Sequence, residues 1–356
     1  MPVSLYVDCV CGNYVGAVAE GDKLVEYRIE KKNATVPIGS VFKGRVENVL
    51  GGMQAAFVNV GLSRNGYLSA DDMLMDRSEI EGRVEIPSVL DLKVGDEIMV
   101  QAVKDPAGNK GVRLTSHISF AGRYVVYLPT FSFVGVSRKI TDDKTRDRLL
   151  KIAEKFRPKG RGIIIRTAGE TAKKGEIKRE IKYLKEQFEE IEENFVSAPP
   201  ATCIYEEGNV GVRLLRDVYT EDVEKFVVSD KELFDKLMLY AKRRDNALKS
   251  KLKLFEKKVD MFRYYGLSES VDNMLSSSVS LENGAYIVID KTEAMTVIDV
   301  NTGKFTGEDN LEDTVFRTNL LAAVEIARQL RLRNIAGIIV VDFIDMTEEK
   351  HKTELL

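Results

Sequence analysis

Two aspartates that follow apolar runs are the residues best suited by type and setting to bind a metal. Asp299 closes the run MTVID, and Asp342 closes the run IIVVD. Carboxylates at the ends of neighbouring strands can converge on one point, and Mg²⁺ prefers oxygen ligands of this kind. Asn301 lies two positions after Asp299, so the alternation of a strand predicts both side chains on one face. Turn-capping aspartates that have no function remain the alternative for each site.

Other catalytic patterns are not supported. His117 and His351 have no nucleophile or carboxylate at a motif spacing, so histidine base chemistry is not predicted. The glycine pairs lack a GxxxxGK[ST] context, which disfavours nucleotide hydrolysis. Cys9, Cys11 and Cys203 contain no CxxC pair, so they predict neither a disulfide framework nor a four-cysteine zinc site.

Composition predicts a globular cytoplasmic protein of two or three domains. The chain has 356 residues, of which 44% are hydrophobic, without a long apolar run or a secretory signal pattern. Its formal charge of -3 does not by itself indicate a polyanionic partner such as nucleic acid. The stretch from Lys242 to Arg263 is locally basic and predicts a basic helix, with an ordinary solvated helical face as the alternative.

The elements that would position the two aspartates form an α/β pattern. AYIVID and AMTVIDVN read as strands, and Glu312 to Arg333 reads as an amphipathic helix. GIIVVDFID is continuously apolar and predicts a buried strand. Ligands of such sheets gather at the carboxyl ends of strands.

The preceding segments predict further small domains. Residues 1–35 read as short strands of a meander. From Gly39 to Ser119 about five short strands with glycine turns predict a small barrel of the OB type, with a charged insert at 71–94. Helices near 144–156 and 173–193 with the strand GIIIRTAG predict an α/β unit. CIYEE and VGVRLLRD read as a strand pair, and 230–264 reads as a long helical region.

Four segments carry a resemblance to a known family. VFKGRVENVLGGMQAAFVNVG, GIIIRTAGE, IDVNTGKFTG and the run from Thr318 to Met346 resemble the ribonuclease E/G family in order and approximate spacing. The resemblance implies an α+β multidomain fold. An RNase H-like subdomain (1–35 and 215–278) would be interrupted by an OB-fold RNA-binding domain (36–118) and a 5′-sensor domain (119–214). A deoxyribonuclease-I-like catalytic subdomain (279–356) would follow.

The same resemblance implies an activity. Family members are Mg²⁺-dependent endoribonucleases that hydrolyse single-stranded RNA in ribosomal RNA processing and messenger RNA decay, leaving a 5′-phosphate and a 3′-hydroxyl. Asp299 and Asp342 match the residues that bind one Mg²⁺, and Asn301 matches the residue that supports them. A bound Mg²⁺ lowers the pKa of a water and stabilises charge on the phosphoryl oxygens, which suits phosphodiester hydrolysis.

RNA-contacting positions are also implied by the resemblance. Phe57, Tyr67 and Lys110 match barrel residues that contact RNA, where aromatic rings stack on unpaired bases and a lysine pairs with the backbone. From the pattern alone, the barrel core is the favoured position for Phe57.

A second set of positions matches the family's pocket for the 5′-monophosphate of RNA. Arg166 and Thr167 supply a guanidinium fork and a hydroxyl, and Gly122 and Val126 match backbone positions beside them. Without the resemblance, Arg166 reads as a surface salt-bridge residue.

The chain departs from the family at its C-terminus. Family members continue into a cysteine pair that shares zinc across a dimer, whereas this sequence ends at Leu356. We therefore expect a truncated chain that binds no zinc, lacks the family-type dimer or tetramer and has an incomplete 5′-phosphate pocket. A non-catalytic RNA-binding fragment remains the alternative function. A translation-factor-like OB protein is a weaker one, because it would not need the two aspartates.

Overall fold

The protein forms two compact units that are not consecutive in sequence. The computed structural model describes residues 2–32, 38–70, 91–104, 111–220, 222–244, 246–303 and 311–356. The first unit contains Met1–Lys32 and Val218–Leu356, and the second contains Asn33–Asp217. Among the described residues, no helix combines the length and the apolar character needed to cross a bilayer.

The first unit contains a five-stranded sheet in the order β15-β14-β1-β2-β3. Its strands are β1 (Val3–Val10), β2 (Asn13–Glu20), β3 (Lys23–Lys31), β14 (Val223–Val228) and β15 (Leu252–Leu254). The first three form the predicted antiparallel meander. β1 pairs in parallel with β14, which lies far along the chain. The sheet is therefore built from both ends of the sequence.

Short helices follow β14 in place of the long helical region that we predicted. They are α4 (Lys231–Arg244), α5 (Asn246–Lys251), α6 (Met261–Tyr264) and α7 (Ser268–Asn273). The prediction was wrong at β15, because Leu252 and Leu254 continue the sheet by pairing with Phe226 and Val228. The basic stretch from Lys242 to Arg263 is consequently not one helix.

The second sheet of this unit has the order β16-β17-β18-β19. Its elements are β16 (Ser278–Ser280), β17 (Tyr286–Lys291), β18 (Met295–Asn301), α8 (Leu311–Leu332), β19 (Ile338–Asp342) and α9 (Glu349–Leu355). The residues of α8 and the inner faces of β17 and β18 share one apolar core. β18 and β19 run parallel, as expected for strands joined through a helix.

β19 is not the buried strand that we predicted. It lies at the edge of the sheet, and Ile338 and Val340 are 62% and 45% exposed. Only the alternate residues Ile339 and Val341 pack against the core. A continuous apolar run does not distinguish an edge strand from a central one, since both contain a face that packs inward.

The second unit begins with a closed five-stranded barrel. Its strands are β4 (Val41–Leu50), β5 (Ala55–Asn59), β6 (Gly66–Ser69), β7 (Glu97–Lys104) and β8 (Arg113–Thr115). β7 pairs back onto β4 and closes the barrel, while β13 (Thr202–Tyr205) extends it from the other side of β4. At Gly44 of β4, an added Cβ would lie 2.4 Å from Val58, so the closure requires glycine.

The rest of the second unit is a four-stranded sheet covered by two helices. Its order is β11-β12-β10-β9, with β9 (Phe120–Ala121), β10 (Val125–Leu128), β11 (Val134–Val136) and β12 (Gly162–Ile165). The two helices are α1 (Asp143–Phe156) and α2 (Lys174–Ser197), which both contribute apolar residues to the core of this sheet. Both helices were predicted from the sequence.

VGVRLLRD forms helix α3 (Val210–Asp217) and not a strand as predicted. The Asn209 side chain accepts hydrogen bonds from the backbone N–H groups of Gly211 and Val212, at 3.1 and 3.3 Å. An asparagine in this place caps the start of a helix. The buried Val210, Gly211, Leu214 and Leu215 then follow helical spacing.

Candidate functional site

Asp299 and Asp342 lie side by side on the second sheet of the first unit. They are direct partners in the parallel pairing of β18 and β19. Adjacent strands lie about 4.8 Å apart, so both exposed carboxylates project from the same face as neighbours. The Asn301 amide nitrogen donates to Asp299 Oδ2 at 2.8 Å. The structure thus brings together the three residues that the sequence singled out.

No cation of the described residues neutralises the two carboxylates. Among the described residues, neither Asp299 nor Asp342 forms an ion pair with a lysine or arginine. The described part of the chain also contains no group of three or more His, Cys, Asp or Glu side chains arranged to hold a metal. Two adjacent carboxylates with an amide fit an ion that keeps several waters among its ligands, as Mg²⁺ does.

A buried asparagine holds the segment that follows Asp342. Asn319 of α8 is completely buried. Its Nδ2 donates to the Ile344 carbonyl at 2.9 Å, and its Oδ1 accepts from the Ile344 N–H at 3.1 Å. Among the described residues, β19 pairs with β18 alone, and this clamp fixes the chain two residues beyond Asp342.

Glu312, near the start of α8, holds the next part of the same segment. Its carboxylate accepts from the N–H groups of Thr347 and Glu348 and from the Thr347 hydroxyl, at 2.7 to 3.1 Å. Hydrogen bonds from Glu348 and Thr347 lower the Glu312 pKa to about 2. His351 Nδ1 lies 3.3 Å from Glu312 Oε1, and its ring stacks on Phe316 at 4.1 Å. The Glu312 carboxylate therefore stays ionised near neutral pH and keeps its hydrogen bonds to Thr347 and Glu348.

Arg166 lies in the second unit, immediately after β12. Its Nη1 donates to the Gly122 carbonyl and to Asp217 Oδ1, the latter at 2.9 Å. The Arg166 side chain remains 34% exposed. The adjacent Thr167 is exposed, and its hydroxyl lies 3.0 Å from that of Ser137. Among the described residues both side-chain contacts of Arg166 use Nη1, which leaves the edge formed by Nε and Nη2 for a bidentate anion.

Asp217 belongs to a chain of alternating charges. Arg216 contacts it through Nε and Nη2 at 3.1 and 3.0 Å, and Arg216 Nη1 donates to Glu207 at 2.8 Å. Burial by itself raises the Asp217 pKa, but the hydrogen bonds and charges of Arg216 and Arg166 outweigh burial and hold that pKa below its ordinary value. The carboxylate is therefore a permanent anion beside Arg166.

The predicted backbone positions Gly122 and Val126 are occupied by internal contacts. Gly122 N donates to the Val125 carbonyl at 2.7 Å, and Val126 is buried within β10 between Ala121 and Ile164. What Gly122 contributes to Arg166 is its carbonyl oxygen.

A buried glutamate shapes this turn. Glu180 of α2 accepts the N–H groups of Arg123, Tyr124 and Val125 at 2.7 to 3.0 Å. A Cβ at Gly122 would lie 2.4 Å from the Glu180 carboxyl carbon, so a larger residue would displace this carboxylate from its hydrogen bonds. Glu180 thus fixes the turn that presents the Gly122 carbonyl to Arg166.

The barrel carries a cross-strand aromatic pair. Phe57 and Tyr67 are register partners on β5 and β6, with ring centroids 5.8 Å apart in an edge-to-face arrangement. Both are partly exposed. Phe57 lies outside the barrel core, which Ala56, Val58 and Leu68 help to fill, so the core alternative is not supported. Lys110 lies outside the described residues.

Comparison with known proteins identifies the relatives of this chain. The family model for the ribonuclease E/G family matches residues 119–356. Ribonuclease G of Escherichia coli K12 is 36% identical over 345 residues, covering 96% of this chain and 71% of that protein. The chain belongs to the ribonuclease E/G family. Ribonuclease G of Haemophilus influenzae is 37% identical over 96% of this chain and 70% of its own length. Ribonuclease E of a Nostoc species is 36% identical over 90% of this chain and 47% of its own.

Family membership was recognised from sequence, but several supporting residues of this ribonuclease E/G family chain were not. Asp217, Glu180 and Asn319 act across 51, 56 and 25 positions, which no local spacing encodes. The sequence contained one indication of the role of Asn319, because this polar residue lies beside the apolar positions of an amphipathic helix. Such a residue is buried only with hydrogen-bond partners.

Proposed function

We propose that this protein is an endoribonuclease that hydrolyses single-stranded RNA at Asp299 and Asp342 with one Mg²⁺. The observation that carries the proposal is the direct cross-strand pairing of these two exposed carboxylates. Two relatives that align along nearly the whole chain are named ribonuclease G, which supports the same reaction class.

The donor set of this site suits Mg²⁺. Asp299 and Asp342 supply oxygen ligands, and the remaining positions of a six-coordinate ion can be filled by water. When bound, Mg²⁺ would supply a Lewis acid that activates water and offsets charge on the phosphoryl group. Asn301 orients Asp299 by donating to Oδ2, so the other carboxylate oxygen is held in a fixed direction. Asn319 performs a corresponding role for the chain after Asp342.

Substrate binding is proposed at two places in the second unit. Phe57 and Tyr67 offer aromatic surfaces for stacking unpaired bases, and Lys110 would add a phosphate contact. Arg166, oriented by Gly122 and Asp217, would bind the 5′-monophosphate of the RNA through its Nε and Nη2 edge, with Thr167 alongside. Gly122 and Val126 lie beside this pocket in the proposal, and their internal backbone contacts favour a supporting role over direct phosphate binding.

We also propose the family's subdomain names for the observed elements. Residues 1–35 and 215–278 would be the RNase H-like subdomain, 36–118 the OB-fold domain and 119–214 the 5′-sensor domain. Residues 279–356 would be the deoxyribonuclease-I-like catalytic subdomain. A cytoplasmic location, roles in ribosomal RNA processing and messenger RNA decay, and the oligomeric state stay predictions of the resemblance.

A cleavage assay tests this function. Single-stranded, A/U-rich RNA is incubated with the protein in Mg²⁺, and a parallel reaction contains EDTA. We expect internal cleavage that stops on chelation. RNA that is bound and left intact in Mg²⁺ would instead identify a non-catalytic RNA-binding protein.

A further inference from the structure

A stripe of cations runs along helix α1 in the second unit. Its members are one or nearly one helical turn apart, at positions i, i+4, i+7 and i+11: Lys144, Arg148, Lys151 and Lys155. All four side chains are exposed. With a rise of 1.5 Å per residue, they extend over roughly 16 Å of one helix face.

A second helix adds two cations beside this stripe. Lys174 and Lys178 of α2 are one turn apart, and their ammonium groups lie 5.8 and 5.7 Å from the centroid of the Phe156 ring of α1. A cleft of about 670 Å³ lies here, lined by Lys144, Asp147, Arg148, Lys151, Ile152 and Lys174. Four cations and one carboxylate therefore face the same space.

These six cations have no carboxylate partner in an ion pair among the described residues. The pairs Lys144 and Arg148, Lys151 and Lys155, and Lys174 and Lys178 place like charges at i and i+4, which destabilises a helix. Further along α2, Lys182 and Lys185 pair with glutamates four residues later, at 3.5 and 2.9 Å. The cleft thus holds four cations and one carboxylate, an excess of positive charge that an external anion would offset.

The extent of the stripe indicates the kind of anion. A single phosphate would be satisfied by two or three donors, whereas this row offers a cation at nearly every turn of three helical turns. A flexible chain of regularly spaced phosphates matches it. Arg148 also donates to the Glu170 carbonyl at 2.7 Å, which joins the cleft to the short helical turn Thr167–Gly169.

We propose that the cleft between α1 and α2 binds the phosphate backbone of single-stranded RNA, as a site additional to the barrel aromatics and the Arg166 pocket. The inference rests on the proposed function for its choice of polyanion. The cleft reads no base sequence, because four of its five charged side chains are cationic and match phosphate. Its contribution is affinity that depends strongly on salt.

The test neutralises three cleft lysines together, as Lys144→Gln, Lys151→Gln and Lys174→Gln. The matched control neutralises Lys182, Lys185 and Lys236, each of which forms an ion pair four residues away on its helix. Binding to a 5′-hydroxyl single-stranded RNA is measured by fluorescence anisotropy in EDTA over a range of KCl concentrations. The 5′-hydroxyl end removes any contribution from a terminal phosphate.

We expect the cleft variant to lose affinity about tenfold at low salt. The slope of log affinity against log salt should fall by about 2, since each lost phosphate contact contributes roughly 0.7 for a single strand. The control should change neither quantity appreciably. The cleft variant should melt no lower than the unmodified protein, because it removes like charges at i and i+4, whereas the control should melt slightly lower, because it loses three exposed ion pairs.

Three outcomes would overturn the proposal. Equal losses in the two variants would assign the effect to total charge. An unchanged slope in the cleft variant, with binding to phosphatidylserine vesicles lost, would assign the cleft to a lipid surface. Failure of the unmodified protein to bind RNA would remove the proposed function and this site together, whereas the first two outcomes would remove the cleft alone.

Discussion

The carboxylate pair in the first unit and the arginine pocket in the second treat charge in opposite ways. Asp299 and Asp342 are adjacent like charges with no cation among the described residues, so each gains from an external one. Arg166 already has Asp217 at 2.9 Å, and Asp217 is in turn held by Arg216. The carboxylate pair therefore depends on an external ion to offset its charge, whereas the charge of Arg166 is already partly offset inside the protein.

The largest effect is expected at the carboxylate pair, Asp299 and Asp342. Asp299→Asn or Asp342→Asn keeps the side-chain size but removes a charge that Mg²⁺ requires, so cleavage should fall by orders of magnitude. RNA affinity in EDTA should change little. Asp290→Asn, on the same face of the neighbouring strand β17, is the matched control and should cleave normally. Mg²⁺-dependent cleavage retained by Asp299→Asn or Asp342→Asn, in protein free of contaminating nuclease, would overturn the mechanism.

Loss of the Asn319 clamp on Ile344 should lower the affinity of the site for Mg²⁺. Asn319→Leu removes both hydrogen bonds to Ile344, so Asp342 should be less well aimed. We expect the Mg²⁺ concentration for half-maximal cleavage to rise roughly 10-fold or more, with most of the rate restored at high Mg²⁺.

Gln329→Leu is the control for this clamp, since Gln329 is a buried amide on the same helix whose contacts are with Glu325 and Arg333. It should leave the Mg²⁺ dependence unaltered even if it lowers the melting temperature. A clamp variant with reduced rate and normal Mg²⁺ dependence would contradict the positioning role.

Substitutions at Arg166 and Asp217 should lower the preference for a 5′-monophosphate by different amounts. Arg166→Ala should lower the preference for 5′-monophosphorylated over 5′-hydroxyl RNA about tenfold, the scale of a charged hydrogen bond. Asp217→Ala should lower it less, because the guanidinium remains but loses its orientation, and Asp217→Asn should restore part of the preference. Competition cleavage of the two RNAs measures the ratio. A higher preference in Asp217→Ala would mean that Asp217 competes with the phosphate.

The smallest effect is expected at a buried histidine of the second unit. His117 is buried, contacts the Phe131 ring at 5.0 Å, and neither ring nitrogen has a hydrogen-bond partner among the described residues. Burial lowers the His117 pKa. Below about pH 6.5 the unfolded chain therefore binds a proton that the folded protein refuses, and stability falls as the pH decreases.

His117→Leu should flatten this decline. Thermal melts between pH 5 and pH 7.5 compare the two proteins. An identical pH dependence would show that another group sets the acid limit.

Local patterns predicted the catalytic candidates, whereas long-range pairing determined what surrounds them. Alternation placed Asp299 and Asn301 on one face correctly, because the period of a strand is fixed within a few residues. The same kind of reasoning misjudged β19 as buried and missed β15, since sheet position depends on partners elsewhere in the chain. Because α3 was predicted as a strand, the contact between Asp217 and Arg166 was not predicted. The Asp217 side chain would have pointed differently on a strand.

The split arrangement of the first unit has a consequence for synthesis. β1 lies inside its sheet, but its parallel partner β14 begins only at Val223. At about 5 to 20 residues per second, a ribosome needs roughly 10 to 40 s to reach that strand. The second unit, whose residues 33–217 are contiguous, can fold during this interval while β1 still exposes an unpaired edge. Nascent chains arrested before residue 223 should accordingly protect the second unit from protease and leave residues 1–32 open to chaperones.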